Sequence, residues 1–225
     1  MTRLGVVTGL KAESRIIERS APRAVPAVAC AGASGTRAQV LATRLIGEGA
    51  ELIVSFGLCG GLEPGLRPGT MIVAETVLGE DGMTAATDMA VRARLFEALF
   101  AAGLRPGGGA ILGSDVPIAR AAAKARLHAK TGARAVDMES HGVARAAQAA
   151  GVPCLVLRAV ADPAERDLPR AALVATAPDG DLRTGALLGA LLLRPWEMPA
   201  MMRLGREARQ AFTTLERAAA LLGGG

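Results

Sequence analysis

Glu13, Asp115, Glu139 and Asp162 are the residues of this 225-residue chain best placed to move protons or hold a polar ligand. Each follows closely on a short apolar run: Leu4–Thr8 before Glu13, Ala110–Gly113 before Ser114 and Asp115, Ala133–Met138 before Glu139, and Cys154–Val160 before Asp162. Carboxylates grouped in this way can carry general acid and base chemistry, because local environment can keep one ionised and another protonated. A further feature, Gly57-Leu58-Cys59-Gly60-Gly61, follows the run Leu52–Phe56. Each feature also has a structural explanation. Glu13 and Glu139 would be favoured in the first turn of a helix by its dipole. Asp162, just before Pro163, suits a turn or helix cap, as does Asp115. The glycine run could be a tight strand-to-helix turn, since a glycine-rich loop alone is a weak phosphate signal.

The elements that must position these residues follow from the apolar pattern. Leu4–Thr8, Leu52–Phe56, Met71–Val77, Ala110–Gly113, Ala133–Met138 and Cys154–Val160 are brief, mostly rich in β-branched residues and bounded by Gly, Pro or charge, which predicts buried strands. Thr36–Gly49, Ala90–Ala102, Ala119–Lys130 and Glu139–Ala150 carry apolar residues at three- and four-residue spacing and predict helices. Such alternation implies a mostly parallel sheet covered on both faces, with ligands outside the carboxyl ends of its strands. Towards the carboxyl end, helical stretches at Ala171–Ala177 and Arg183–Leu193 lead through Pro195-Trp196-Glu197-Met198-Pro199 to a long helix over Ala200–Leu222. No linker, repeat or low-complexity tract divides the chain, so a single domain spanning residues 1–225 is expected.

Composition narrows the function classes. The net charge of +5 comes mostly from arginines scattered along the chain, and an aromatic content of 2% leaves little surface for base stacking, so no nucleic-acid partner is expected. Cys30, Cys59 and Cys154 lack paired spacing, and His128 and His141 are the only imidazoles, so neither a disulfide framework nor a zinc site is expected. The longest apolar stretch, Gly185–Leu193, is about half the ~20 residues of a membrane-spanning helix. The run Leu4–Leu10 meets Lys11 and Glu13 without a small-residue cleavage site, which argues against a secretory signal and for a cytoplasmic location.

The order of the motifs resembles a family. GVVTGLKAE at the start, AGASG near residue 32, SFGLCGGLEPGLRPGTMIVAE, AVDMES and VPCLVLRAVADPAE are similar to the purine nucleoside phosphorylase and methylthioadenosine/S-adenosylhomocysteine nucleosidase superfamily, over residues 4 to 165. The resemblance implies a three-layer α/β/α fold around a mostly parallel, mixed sheet, an activity that cleaves the N-glycosidic bond of an adenine nucleoside, and a homo-oligomer. It places Glu13 where a carboxylate orients or activates the attacking water, and Glu139 where one holds the ribose hydroxyls. Met138 would pack beneath the sugar, and Asp162 would protonate or hydrogen-bond adenine N7. Ile118 would meet the base edge through its backbone, with Gly57 and Val136 completing the substrate-binding set. Pro117 departs from the pattern, standing where nucleosidases often place a stacking aromatic.

These roles agree with the chemistry of the bond. Breaking C1′–N9 builds positive charge on the sugar and negative charge on the purine, so a carboxylic acid near N7 stabilises the leaving group. Asp162 must therefore hold or share a proton, which burial favours, whereas Glu13 must stay ionised to accept one from water. No metal or cofactor is required. Phosphorylases of the superfamily commonly use an arginine and a hydroxyl residue near the second strand, and the corresponding positions look like Ser55 and Leu58. That depleted set favours water as nucleophile, with phosphate as an alternative co-substrate and Ser34 and Gly35, before a helix, as a candidate anion or water site.

Within the superfamily, RAVADPAERDLP, the short connection after Glu75 and LLLRPWEMPAMMRLGREAR resemble the hopanoid-associated phosphorylase group, whose inferred role is removal of adenine from adenosylhopane. In the tail, Leu191–Leu193, Trp196, Met198, Met201 and Met202 lie beside Arg194, Arg203, Arg206 and Arg209. Such a stretch could form an apolar surface with a basic rim, suited to a lipid-like substituent and to peripheral contact with the inner membrane surface. Packing in a core or a dimer interface accounts for the same spacing.

Overall fold

A computed structural model of the chain describes residues 2–20, 27–174, 180–181 and 184–222. The first strand, β1 (Leu4–Thr8), is followed by α1 (Lys11–Ser20), β2 (Ala27–Cys30), α2 (Gly35–Gly47) and the long β3 (Leu52–Gly61). Next come β4 (Met71–Val73), β5 (Thr76–Gly79), β6 (Thr84–Ala86), α3 (Met89–Ala101), β7 (Ala110–Gly113), α4 (Ala121–Thr131), β8 (Ala135–Asp137), α5 (Ser140–Ala150) and β9 (Cys154–Asp162). The short α6 (Arg170–Leu173), α7 (Thr184–Leu193), a 3-10 turn at Pro195–Glu197 and α8 (Met198–Ala219) complete the order.

Among the described residues the strands form one nine-stranded mixed sheet in the order β2-β1-β3-β8-β7-β5-β6, with β9 paired to both β3 and β4. The pairs β1–β2, β1–β3, β3–β9, β5–β7 and β7–β8 are parallel. Apolar residues cover both faces, as a parallel sheet requires. On one face Ala38, Ala42 and Leu45 of α2 and Val143, Ala144 and Ala147 of α5 pack against Val7, Ile53 and Val156. On the other, Ile16 and Ile17 of α1, Leu95 and Leu99 of α3, and Ala211 and Leu215 of α8 meet Val6, Val54 and Leu157. This is the expected α/β/α layering.

Several expectations differ in detail. The predicted strand Met71–Val77 is two strands, because the chain changes partner: β4 runs antiparallel to β9, whereas β5 pairs parallel with β7. β2 and β6 escape a sequence reading because they are short and alanine-containing, with little β-branched content. The run Gly57–Gly61 is not a turn. It continues β3, paired with β9 and then, at Gly60 and Gly61, antiparallel with β8. The long predicted helix at the carboxyl end begins at Met198, and α6 covers only the start of the predicted Ala171–Ala177; positions 175–177 and 183 lie outside the described residues.

Two glycines show how tightly the layers that carry the site are packed. A Cβ on Gly142 of α5 would lie 2.0 Å from the carbonyl oxygen of Gly35 on α2 and 3.0 Å from the Gln39 nitrogen. A Cβ on Gly57 of β3 would lie 2.6 Å from Arg158 Nη1 and 2.7 Å from the Glu13 carboxyl. Backbone cannot yield as a flexible side-chain end can, so Gly142→Ala is expected to destabilise the fold by about 1–3 kcal/mol. Thermal melting checks this; an unchanged Tm would mean that α2 and α5 can separate without cost.

Candidate active site

The carboxyl ends of β1, β3, β8 and β9 converge on a cleft of about 260 Å³. Glu13, Ile118, Val136, Met138, Glu139 and Asp162 all line it, with Gly9, Leu10, Ala33, Leu58 and Pro117. A larger cleft of about 320 Å³, between Val77, Thr87, Asp88 and Gln148, has no comparable group of buried ionisable side chains. Gly57 lies beneath the first cleft, where the absence of a side chain makes room for Arg158 and Glu13. Ser34 and Gly35 follow the cleft residue Ala33 but do not line it: Ser34 Oγ accepts the Arg37 N–H at 3.4 Å as the cap of α2. Asp115 does not join the other carboxylates. Its side chain is 76% exposed and meets His141 Nε2 at 3.2 Å.

Glu13 is anchored by three backbone donors. Gly9 and Leu10 donate to its Oε2 at 2.9 and 2.8 Å, and Leu58 donates to Oε1 at 2.8 Å. Burial pushes its carboxyl up from the ordinary range, while Arg158 and these N–H groups pull it back towards the ionised form. Asp162 owes its position to an irregularity. The β3–β9 register shifts between Cys59 and Gly60, so that Gly60 opposes Asp162 and Ala161 is passed over. A shift of this kind redirects the end of a strand, here into the cleft.

Sequence reasoning passed over the residue on which these groups converge. Arg158, in the middle of β9, has no solvent exposure. Its Nη2 pairs with Asp137 Oδ2, lies 3.3 Å from Glu139 Oε2 and donates to Ser55 Oγ at 2.6 Å. Nη1 reaches the Leu58 carbonyl at 3.5 Å. The signal was present in CLVLRAVAD, since a strand buried on both faces can accommodate a central arginine only beside buried anions. Asp137 was also missed; besides holding Arg158, it accepts the Ser140 N–H at the start of α5. Ser55 lies below the cleft, bonded to Arg158 and Ser140.

One guanidinium serves three carboxylates, those of Glu13, Asp137 and Glu139. Full ionisation would leave excess negative charge in a dry site. Glu139 bears the consequence: burial, opposed by Arg158 but reinforced by Asp137 and Glu13, pushes it up to about 8. A neutral Glu139 can donate a hydrogen bond as well as accept one, which suits a sugar hydroxyl. Among the described residues no group of three or more His, Cys, Asp or Glu side chains is arranged to hold a metal ion.

The model of the phosphorylase superfamily matches residues 7–192. The chain belongs to the phosphorylase superfamily. Among relatives of this superfamily member, the futalosine hydrolase of Streptomyces coelicolor is 36% identical over 138 residues, covering 53% of this chain and 57% of that protein. The chain thus spans a little over half the length of that curated relative. The superfamily fold is also that of the 5′-methylthioadenosine/S-adenosylhomocysteine nucleosidase of Helicobacter pylori, solved with butyl-thio-DADMe-Immucillin-A, at a TM-score of 0.69 and 18% identity over 97% of each chain. The native futalosine hydrolase of the same organism matches at a TM-score of 0.68 and 17% identity, over 96% of this chain and 97% of that one.

Two tests follow from the electrostatics. Arg158→Met leaves buried carboxylates without their cation and is expected to cost about 3–5 kcal/mol, measured by denaturant or thermal unfolding. Because Glu139 binds its proton more tightly folded than unfolded, wild-type stability falls as pH rises from the ordinary carboxylate range through about 8. Glu139→Gln removes that loss, so the Tm of the variant relative to wild type should be more favourable at pH 9 than at pH 5. A pH-independent difference would contradict the raised value.

Proposed function

We propose that this chain hydrolyses the N-glycosidic bond between C1′ and N9 of an adenine nucleoside carrying a lipid-like substituent, adenosylhopane being the specific substrate, with adenine and ribosylhopane as products. The observation that carries the reading is the meeting of Glu13, Met138, Glu139 and Asp162 in one cleft above a buried arginine. In this mechanism Glu13, fixed by backbone donors, accepts a proton from the water that attacks C1′. Glu139 holds the ribose hydroxyls above Met138. Asp162 gives the departing purine its proton at N7, so that the electron pair of the broken bond does not accumulate on an anion.

Water is favoured as nucleophile because the hydroxyl of Ser55 is committed to Arg158 and Ser140 below the cleft, and Ser34 is committed to capping α2. Phosphate, giving phosphoribosylhopane, is the alternative. The lipid-like substituent is supported by the apolar carboxyl-terminal region. Leu188, Leu192, Leu193, Trp196 and Met202 are all exposed, whereas Leu191 among them packs into the chain's own core. Gly180, ahead of this stretch in the chain, lies against the cleft residue Gly9, and its carbonyl accepts the Lys11 N–H. The exposed stretch gives an apolar substituent, a membrane surface or a second copy of the chain something to meet. No helix among the described residues is long and apolar enough to cross a membrane.

A second reading, cleavage of a nucleoside with a water-soluble substituent, is favoured by the names of the relatives: futalosine hydrolase and methylthioadenosine/S-adenosylhomocysteine nucleosidase. Mass spectrometry of the sugar product, made from adenosylhopane with and without phosphate and compared with methylthioadenosine and futalosine, separates the readings. Ribosylhopane formed regardless of phosphate is expected. Exclusive turnover of the soluble nucleosides would replace the lipid substrate, and tight binding without release of base would replace catalysis. Asp162→Asn is expected to lower kcat on the order of 10²–10⁴-fold with little change in KM. Near-wild-type adenine release by that variant would remove Asp162 from the acid role.

A further inference from the structure

Asp162 is not a solitary carboxyl. Lys124, on α4, is fully buried, and its ammonium donates to Asp162 Oδ2, to the Pro163 carbonyl at 2.8 Å and to the Arg166 carbonyl at 3.2 Å. An ammonium has three N–H donors, and each has found an acceptor. Asp162 lines the cleft whereas Lys124 does not, so the lysine reaches the carboxyl from behind. The backbone around the pair is braced. The Ala121 N–H at the start of α4 donates to Asp167 Oδ1 at 2.8 Å, and the Leu168 N–H donates to the Ala119 carbonyl at 2.7 Å. The other charged or titratable groups facing Asp162 are Glu207 from α8, Arg166, which is paired with Glu207, and the Cys59 thiol from β3.

Burial pushes the Asp162 carboxyl up from its ordinary range, towards the protonated form, while the Lys124 ammonium pulls it back. The two opposed influences meet on one proton, which either group can hold. The set of contacts accommodates the ammonium beside a carboxylate. It equally accommodates a neutral amine beside a carboxylic acid, with two N–H groups on the Pro163 and Arg166 carbonyls and the lone pair facing Asp162. The two forms hold the same number of protons.

Resting on the reading of Asp162 as the acid of a nucleosidase, we propose that Lys124 is a positioning residue and that the Lys124–Asp162 pair, not Asp162 alone, constitutes the acid that protonates the leaving purine. As C1′–N9 breaks, its electron pair goes to the purine. One proton passes from Lys124 Nζ to the Asp162 carboxyl and on to N7, leaving a carboxylate beside a neutral amine. Water bonds to C1′ and gives its proton to Glu13. Once the products have left, Glu13 loses that proton to solvent and Lys124 regains one. The transferable proton is therefore shared between the amine and the carboxyl. Asp162 without the lysine would lose that proton at lower pH.

The test is the pH profile of kcat for Lys124→Met and wild type, with adenosylhopane and methylthioadenosine, the nucleosides compared above, and with 4-nitrophenyl β-D-ribofuranoside, whose leaving group needs no proton. The alkaline limb of adenine release should move to lower pH by at least about one unit in the variant. Its kcat above neutrality should fall on the order of 10²-fold, against a much smaller change for the nitrophenyl riboside. An unmoved limb, with equal losses on all substrates, would overturn the proposal and leave Lys124 as a tether for the loop after β9. If Lys124→Met fails to fold for want of donors to the two carbonyls, Lys124→Gln, whose amide can serve both, is measured in the same way. Wild-type protein that releases no base would instead defeat the nucleosidase reading itself.

Discussion

The buried guanidinium of Arg158 organises this protein. Arg158 sits without solvent exposure in the middle of the sheet and touches carboxylates or hydroxyls from β3, β8, α5 and the turn between them. Removing a guanidinium from water is costly, and the cost is met only when its donors find well-placed acceptors. Those acceptors come from segments far apart in the chain, among them Ser55, Asp137 and Ser140, so the packing of the layers and the geometry of the cleft are one problem. The arginine also sets the electrical state of the cleft. With three carboxylates facing it, burial pushes both Glu13 and Glu139 up from the ordinary range while the guanidinium pulls each back towards the ionised form.

Around that cation the fold uses small residues to bring groups together. Gly57 makes room for Arg158 and Glu13, and a side chain on Gly9 would collide with the Glu139 carboxyl, its Cβ only 2.5 Å from Oε1. The shifted register at the end of β9 brings Asp162 opposite Gly60, within reach of Lys124 from α4. Glu13, Glu139 and Asp162 thus occupy three distinct environments: backbone N–H groups around the first, other carboxylates and an arginine around the second, a lysine against the third. Chemically identical functional groups can then take different roles at one pH.

The carboxyl-terminal region is built on other principles. α8 is amphipathic, burying Ala211, Leu215 and Ala218 against the sheet, and Arg166 pairs with its Glu207 to tie it to the loop that follows β9. α7 is apolar around its whole circumference, and Leu192 and Leu193 remain about four-fifths exposed at 83% and 78%. An exposed surface of this kind is characteristic of contact with something else.

The sequence by itself determined the α/β layering, because strand and helix periodicities differ and alternate along this chain, and it singled out Glu13, Glu139, Asp162, Met138 and Ile118 through their places in a recognisable series of motifs. Charge inside an apolar strand was legible too, in CLVLRAVAD, although its meaning was not. Only the tertiary structure decided that Arg158 would be the hub, that Lys124 would leave the solvated face of a helix for Asp162, that Asp115 would face solvent, and that the glycine run would be strand. These outcomes depend on which distant segments become neighbours. Register, partner exchange and burial of charge are settled by pairing energies between elements, and local spacing along one chain does not contain them.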